Sequence, residues 1–252
     1  MFERIGGVYR GSIAVVIGAG GIGHEIAAQL CDAGATVVVA DRRLEQLERV
    51  ASLADRFPCI VRPLDVCSGG EVEDFFQDTC AAVGTPHFLF YTAGILTIEP
   101  FHETTESQWM RAIDVNLNGV FRCISSVGRR MSSARRGSIL VLGSIAGTKA
   151  RSGSRVNPVY NTSKAGVASL VNAAAMQLRP FGVRVNCISP GPTETPMMDV
   201  QPPAVHELVK QITLDGRMNE PSEVAELALF VAGHGRFTGE DVGMGGGAGL
   251  GG

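Results

Sequence analysis

Residues 13–41 read IAVVIGAGGIGHEIAAQLCDAGATVVVAD. Ile13 to Ile17 form a compact apolar run of strand length, and the stretch from His24 to Ala33 is spaced as an amphipathic helix. Between them lies Gly18-Ala19-Gly20-Gly21-Ile22-Gly23, and a second apolar run, Thr36 to Ala40, ends at Asp41. Strand, glycine turn, helix and strand make one β-α-β unit, whose crossover is right-handed almost without exception. The turn carries G-x-G-x-x-G in the strand-to-helix setting that gives the spacing its meaning. Gly18 permits the tight turn, Gly20 lets the backbone approach a pyrophosphate, and Gly23 lets helix and strand pack closely. Gly21 and Ile22 complete the cradle, where the helix N-terminus offers free N–H groups and a positive dipole end to phosphate. Asp41 stands 18 residues beyond Gly23. An acid at that strand end accepts hydrogen bonds from ribose hydroxyls and repels a 2′-phosphate, which favours NAD over NADP. Arg42 and Arg43 follow at once and pull the other way, because guanidinium groups bind phosphate well. Their ordinary role is a solvated first helical turn.

Outward from this unit the pattern repeats. Cys59–Arg62, His87–Tyr91, Ser138–Leu142 and Val183–Ile188 are further apolar runs of strand length, separated by amphipathic stretches near 44–55, 69–82, 105–131 and 157–179. Nearly continuous apolar strands alternating with helices predict a parallel sheet covered on both faces, an α/β doubly wound domain. The 252 residues fit one such domain, and no Pro/Ser-rich linker divides them. Apolar residues at 45% and charged residues at 19% are an ordinary globular balance. A net charge of −3 supplies no positive field for nucleic acid or an anionic membrane. The six cysteines form no C-x-x-C pair and have no histidine at ligand spacing, so reduced thiols and no metal site are expected. The opening Met-Phe-Glu-Arg-Ile-Gly-Gly has no apolar core of a leader, and no window reaches the 18 apolar residues of a membrane span. A soluble, cytoplasmic protein is expected.

The reacting groups come later. Tyr160-Asn161-Thr162-Ser163-Lys164 opens a helical segment, and residues four apart share a helix face. A phenol ordinarily titrates near pH 10, and a neighbouring ammonium favours the phenolate. A phenol tuned in this way can take a proton from an alcohol or return it to a carbonyl oxygen. Before this pair stands the strand Gly137-Ser138-Ile139-Leu140-Val141-Leu142-Gly143-Ser144, and after it Asn186-Cys187-Ile188-Ser189-Pro190-Gly191. Together, from residue 11 to about 247, these motifs resemble the short-chain dehydrogenase/reductase family in kind and order.

That resemblance implies a Rossmann-type domain with a seven-stranded parallel sheet, a hydride transfer between NAD and a small-molecule alcohol or ketone, and no metal. It implies Tyr160 as acid/base and Lys164 as the group that binds the nicotinamide ribose and lowers the tyrosine pKa. Ser144 matches the hydroxyl that orients the reacting oxygen, and Asn116, in Ile-Asp-Val-Asn-Leu-Asn-Gly, the amide that supports a water-linked proton relay. Asp65 and Val66 fall where the family holds adenine, and Ala93 and Gly94 beneath the cofactor. Pro190, Gly191, Thr193 and Thr195 fall where it grips the nicotinamide end. Singly, each has an ordinary structural reading: Ser144 as a turn former, Asn116 as a helix-interior amide, Thr195 as the residue before Pro196. Family members are dimers or tetramers built through the two long helices, here 105–131 and 157–179, so a homotetramer is expected.

Three departures stand against the family pattern. Its usual T-G-x-x-x-G-x-G turn is one residue shorter here, with Ile17 in place of the threonine. Its N-N-A-G reads Tyr91-Thr92-Ala93-Gly94, without the two amides. Ser144 and Tyr160 are 16 apart, and the extra residues fall in a basic loop with Lys149, Arg151 and Arg155. A solvated loop or a contact to an anionic substrate group both fit. Substrate choice is expected from residues 189–220, a Pro-rich segment suited to a lid. Alternatives to an NAD-dependent dehydrogenase are an NADP-dependent 3-oxoacyl thioester reductase and a dinucleotide sensor without turnover.

Overall fold

The computed structural model describes residues 7–55, 58–97, 99–148, 157–199 and 203–248. Along the chain they form β1 (Ile13–Ile17), α1 (Gly21–Asp32), β2 (Thr36–Asp41), α2 (Leu44–Ala51), β3 (Cys59–Pro63), α3 (Gly69–Val83) and β4 (Phe88–Tyr91). These are followed by α4 (Glu106–Ile113), α5 (Gly119–Ser133), β5 (Gly137–Leu142), α6 (Pro158–Leu178), β6 (Val183–Pro190), α7 (Pro203–Ile212), α8 (Pro221–Gly233) and β7 (Asp241–Met244). One sheet contains seven strands in the order β3-β2-β1-β4-β5-β6-β7. Every neighbouring pair is parallel, the doubly wound α/β architecture expected from the strand runs.

Both faces of the sheet are buried because successive side chains of a strand point to opposite sides. In β1, Ala14 and Val16 enter the core shared with α1 and α8. Val15 and Ile17 enter the other core, beneath α3, α5 and α6. Buried aliphatic and aromatic side chains of this kind each contribute roughly 1.5–3 kcal/mol. The strand order reverses between β1 and β4, and ligands of such sheets bind in the crevice outside the carboxyl ends of the strands at that point.

The stretch expected as one helix over 105–131 is broken in its hydrogen bonding. Between α4 and α5, residues Asp114–Asn118 form a π-turn. A tie across the sheet end holds this turn. Tyr91, fully buried, donates its hydroxyl to the Val115 carbonyl at 2.8 Å and lies against Gly119, where any side chain would collide with the phenol. The tyrosine thus meets the requirement that a buried hydroxyl be paired. Thr92 supplies the remaining tie across the sheet end. Its Oγ1 donates toward the carbonyls of Ile17 and Gly18 at 3.1 and 2.9 Å, joining β4 to the glycine turn.

Removing the Tyr91 hydroxyl breaks its hydrogen bond to the Val115 carbonyl. Tyr91→Phe is therefore expected to lower the unfolding free energy by about 1–3 kcal/mol, read as a lower urea midpoint with an unchanged slope. A neutral substitution would mean that the Val115 carbonyl has another partner.

Candidate active site

The glycine turn leaves the end of β1. Gly18 adopts φ +101, and a Cβ there would lie 2.6 Å from the Ala93 nitrogen. A Cβ on Gly23 would overlap the Gly18 carbonyl and sit 2.7 Å from Thr92 Oγ1. These two glycines are demanded by packing. Gly20 differs: a Cβ there would meet only Arg43 Nη2, at 3.9 Å. Gly20 is also the N-cap of α1 and has no side-chain cap, so the first N–H groups of the helix, from Gly21, Ile22 and Gly23, are left to face the crevice. The shorter loop builds an anion cradle, and its residues fit a dinucleotide phosphate. Over its other side lies Thr195, whose Cγ2 would be 3.1 Å from a Cβ on Gly21.

Asp41 closes β2 with its side chain only 10% exposed. Its Oδ2 accepts from the Ala19 N–H and its Oδ1 from the Arg43 N–H, each at 2.8 Å. The carboxylate is fixed against the turn, and each oxygen keeps a lone pair for a further donor. The Arg43 guanidinium, 55% exposed, reaches back to within 3.6 Å of Asp41 Oδ1 and hangs over Gly20. Arg42 points the other way, to Asp65 Oδ2 at 3.7 Å. Asp65 itself accepts from the Cys67 N–H, and Val66 packs buried against Gly119.

Beyond the cradle, Ala93 donates its N–H to the Ile17 carbonyl at 2.9 Å. A Cβ on the next residue, Gly94, would be 3.4 Å from Asn116 Oδ1 and 3.7 Å from Lys164 Nζ. Asn116 sits fully buried in the π-turn. Its Oδ1 accepts from the Ile95 N–H at 2.8 Å, and its Nδ2 donates to the Ile95 carbonyl at 2.9 Å and to Ser163 Oγ at 3.1 Å. Lys164, buried, donates to the Leu142 carbonyl at the end of β5 at 2.7 Å. Its Nζ lies 5.7 Å from the Tyr160 ring centre. Burial pushes the Tyr160 phenol up, and the hydrogen bond from Ser144 pulls it back down. Burial also pushes the Lys164 ammonium down, to about 8. The Lys164 ammonium is turned toward the Leu142 carbonyl in this geometry.

On the far side of the crevice, Gly191 donates to the Met244 carbonyl at 2.8 Å and packs so closely on Gly245 that a Cβ would be 2.9 Å from its Cα. Pro190 ends β6 in register with Met244. Thr193 is buried, bridges to Asn219, and donates to the Gly191 carbonyl at 3.0 Å. Thr195 donates to the Thr193 carbonyl at 3.4 Å. Gly94 thus lies close to both Asn116 and Lys164, Gly18 to Ala93, and Gly21 to Thr195. Lys149, Arg151 and Arg155 lie outside the described residues.

Two residues matter here beyond those that the motifs single out. Thr92 stands in the sequence only as a departure from the family pattern, yet it joins β4 to the glycine turn. Asn157 caps α6, accepting from the Tyr160 N–H at 2.7 Å and from Thr97 Oγ1 at 2.8 Å, while its Nδ2 donates to the Thr97 carbonyl. Its signal is present in the sequence, since Asn before Pro158 is a helix-start pair with proline at N1.

The two kinds of glycine separate by measurement. Gly23→Ala is expected to cost about 1–3 kcal/mol of stability by overpacking, whereas Gly20→Ala should stay within about 1 kcal/mol of wild type. Equal losses in urea denaturation would contradict the contrast. Lys164 makes a second test. Between about pH 8 and its ordinary 10.5, the folded chain has released a proton that the unfolded chain still holds. Unfolding then takes up a proton, so this group's contribution to stability rises with pH across the window. The unfolding free energy of wild type relative to Lys164→Met should climb by at most about 1.4 kcal/mol per pH unit there. A flat difference would mean that the ammonium is not desolvated.

Comparison with known proteins agrees with this architecture. A family described as enoyl-(acyl carrier protein) reductase matches residues 17–248. Galactitol 2-dehydrogenase of Rhizobium johnstonii is 36% identical over 230 residues, covering 88% of each chain. The 3-oxoacyl-(acyl-carrier-protein) reductase of Thermotoga maritima is 31% identical, covering 94% of this chain and 97% of its own. The crystal structure of a short-chain type dehydrogenase/reductase from Mycobacterium marinum superposes with a TM-score of 0.92 at 28% identity, over 99% of this chain and 100% of that one. The chain belongs to the short-chain dehydrogenase/reductase family, NAD(P)-dependent oxidoreductases that act on CH–OH groups.

Proposed function

We propose that the protein is an NAD-dependent dehydrogenase that interconverts a secondary alcohol and a ketone. The observation that carries this reading is the convergence of Ser144, Tyr160 and Lys164 at the carboxyl end of β5, joined through Gly94 and Ala93 to an open glycine cradle. Bound there, the nicotinamide supplies the hydride donor or acceptor. The protein's own groups move the proton and hold the reactants. Tyr160 takes the hydroxyl proton of the alcohol or returns it to the ketone oxygen. Ser144, already hydrogen-bonded to the phenol, orients that oxygen. Lys164 holds the nicotinamide ribose from a buried position. Asn116 supports the proton relay by fixing the Ile95 backbone on both its N–H and its carbonyl. Pro190, Gly191, Thr193 and Thr195 wall the nicotinamide end. Gly18, Gly20, Gly21, Ile22 and Gly23 hold the pyrophosphate, and Asp65 and Val66 flank the adenine.

Asp41 supports NAD. Its carboxylate is fixed where the adenine ribose would lie, and a 2′-phosphate would meet a buried negative charge. A second reading, an NADP-dependent reductase of 3-oxoacyl thioesters, draws on two observations. Asp41 already accepts two internal hydrogen bonds, and the Arg43 guanidinium hangs over Gly20. The Thermotoga relative is named as a 3-oxoacyl-(acyl-carrier-protein) reductase. For assembly we infer a homotetramer in the cytoplasm. Met110, Phe121 and Met176 support it, as large apolar side chains exposed on α4, α5 and α6, the helices expected to meet a second copy. Among the described residues no helix is long and apolar enough to cross a membrane.

Titration with NADH and NADPH, followed by nicotinamide fluorescence, tests the cofactor. NADH should bind more tightly, and Asp41→Ala should narrow the gap by about tenfold or more, the scale of a lost charge-assisted hydrogen bond. A panel of secondary alcohols with NAD should then show reduction of the nicotinamide. NADPH preference in wild type would favour the second reading.

A further inference from the structure

The opposite, amino end of the sheet carries a cleft that the proposed reaction does not use. It is bounded by Ser12, which precedes β1, His87 and Phe88 at the start of β4, Arg136 and Ser138 at the start of β5, and Arg184 in β6. Its chemistry is one-sided. No carboxylate lines it. The Arg184 guanidinium is spent on main-chain carbonyls, those of His234 at 3.1 Å and Phe237 at 2.9 Å together with Ala232, and its charge has no acid beside it among the described residues. Arg136 is exposed at the rim and likewise has no carboxylate partner among the described residues.

One neutral donor completes the wall. His87 Nδ1 accepts the Ile13 N–H at 3.0 Å, so in the neutral ring the proton sits on Nε2, which then serves as a donor. Burial and the nearby Arg136 hold that imidazole below its ordinary pKa, in the neutral form at pH 7. Ser12 is 6% exposed, and its hydroxyl is buried without a hydrogen-bond partner. Water filling the cleft would leave the part-buried Arg184 charge without an anion beside it.

We propose that this cleft is a binding site for a small oxyanion, held by Arg136 and the Nε2–H of His87 in the field of Arg184. An oxyanion supplies what these three groups lack, acceptor lone pairs and negative charge. The site lies at the end of the sheet opposite the glycine turn, so its occupancy is independent of the dinucleotide cradle.

The test follows the imidazole resonances of His87 by NMR, assigned by their loss in His87→Gln. Inorganic phosphate and sodium acetate are titrated separately at fixed pH and ionic strength, in the presence and absence of saturating NADH. A saturable shift of His87 with either anion, unchanged by NADH and at least fivefold weaker in Arg136→Gln, is the expected result. Saturation by phosphate alone would assign a tetrahedral oxyanion, and saturation by both would extend the site to carboxylates. Shifts that never saturate, or that are the same in Arg136→Gln, would overturn the proposal.

Discussion

A single buried amide holds the carboxyl end of this sheet together. Asn116 has no exposure to solvent, so its oxygen and both N–H groups must be satisfied from within. It spends them on the Ile95 N–H, the Ile95 carbonyl and Ser163. Three parts of the molecule are thereby fixed to one another: the segment leaving β4, the π-turn that carries Asn116, and the helix that carries Tyr160 and Lys164. The π-turn is what presents the amide at this spot, and Tyr91 stabilises the turn by taking the Val115 carbonyl. Asn157 repeats the device one turn before Tyr160, pairing with both polar groups of Thr97 and capping α6. Helix α6 is therefore pinned to the β4 exit at two heights, which leaves little freedom for its Tyr160 face.

Burial then sets the electrostatics. It works on the two ionisable groups in opposite senses, raising the phenol and lowering the ammonium, because each charged form loses water. Ser144 adds the specific part. Its hydrogen bond lowers Tyr160 again, and its position at the end of β5 is shared with the Leu142 carbonyl that anchors Lys164. Environments that set two neighbouring titratable groups apart from their ordinary behaviour are how one site divides acid and base roles. The phosphate end is governed by sterics as much as by charge. Gly18 and Gly23 let β1, α1 and Thr92 close on one another, and only Gly20 faces open space.

Much of this is legible in the amino-acid sequence because the governing signals are local. Six strands show as apolar runs, and the G-x-G-x-x-G turn shows as glycines at fixed offsets. Tyr160 and Lys164 show as a pair at helical spacing. The seventh strand leaves no such signal, since Asp241–Met244 is four residues long with a glycine inside it and pairs only along β6. Helix α8 is hidden for the opposite reason. Pro221–Gly233 is buried against α1 and the sheet, so it is apolar on most sides and shows no amphipathic stripe. The tie between the π-turn and β4 joins residues 24 apart, Tyr91 and Val115, which no local pattern encodes. The Ser144 effect on Tyr160, and the turning of Lys164 toward Leu142, are likewise tertiary. The roles of the site residues come from resemblance, while their convergence is a matter of geometry.

Tyr160 as the proton-transferring group of an alcohol dehydrogenase is the central claim. Its most direct test is single-turnover reduction of bound NAD by a secondary-alcohol substrate, compared between wild type and Tyr160→Phe with NADH affinity measured in parallel. The expected result is a rate lowered by about 100-fold or more, with NADH affinity within about threefold of wild type. Retention of the rate in Tyr160→Phe, with the cofactor still bound, would contradict it.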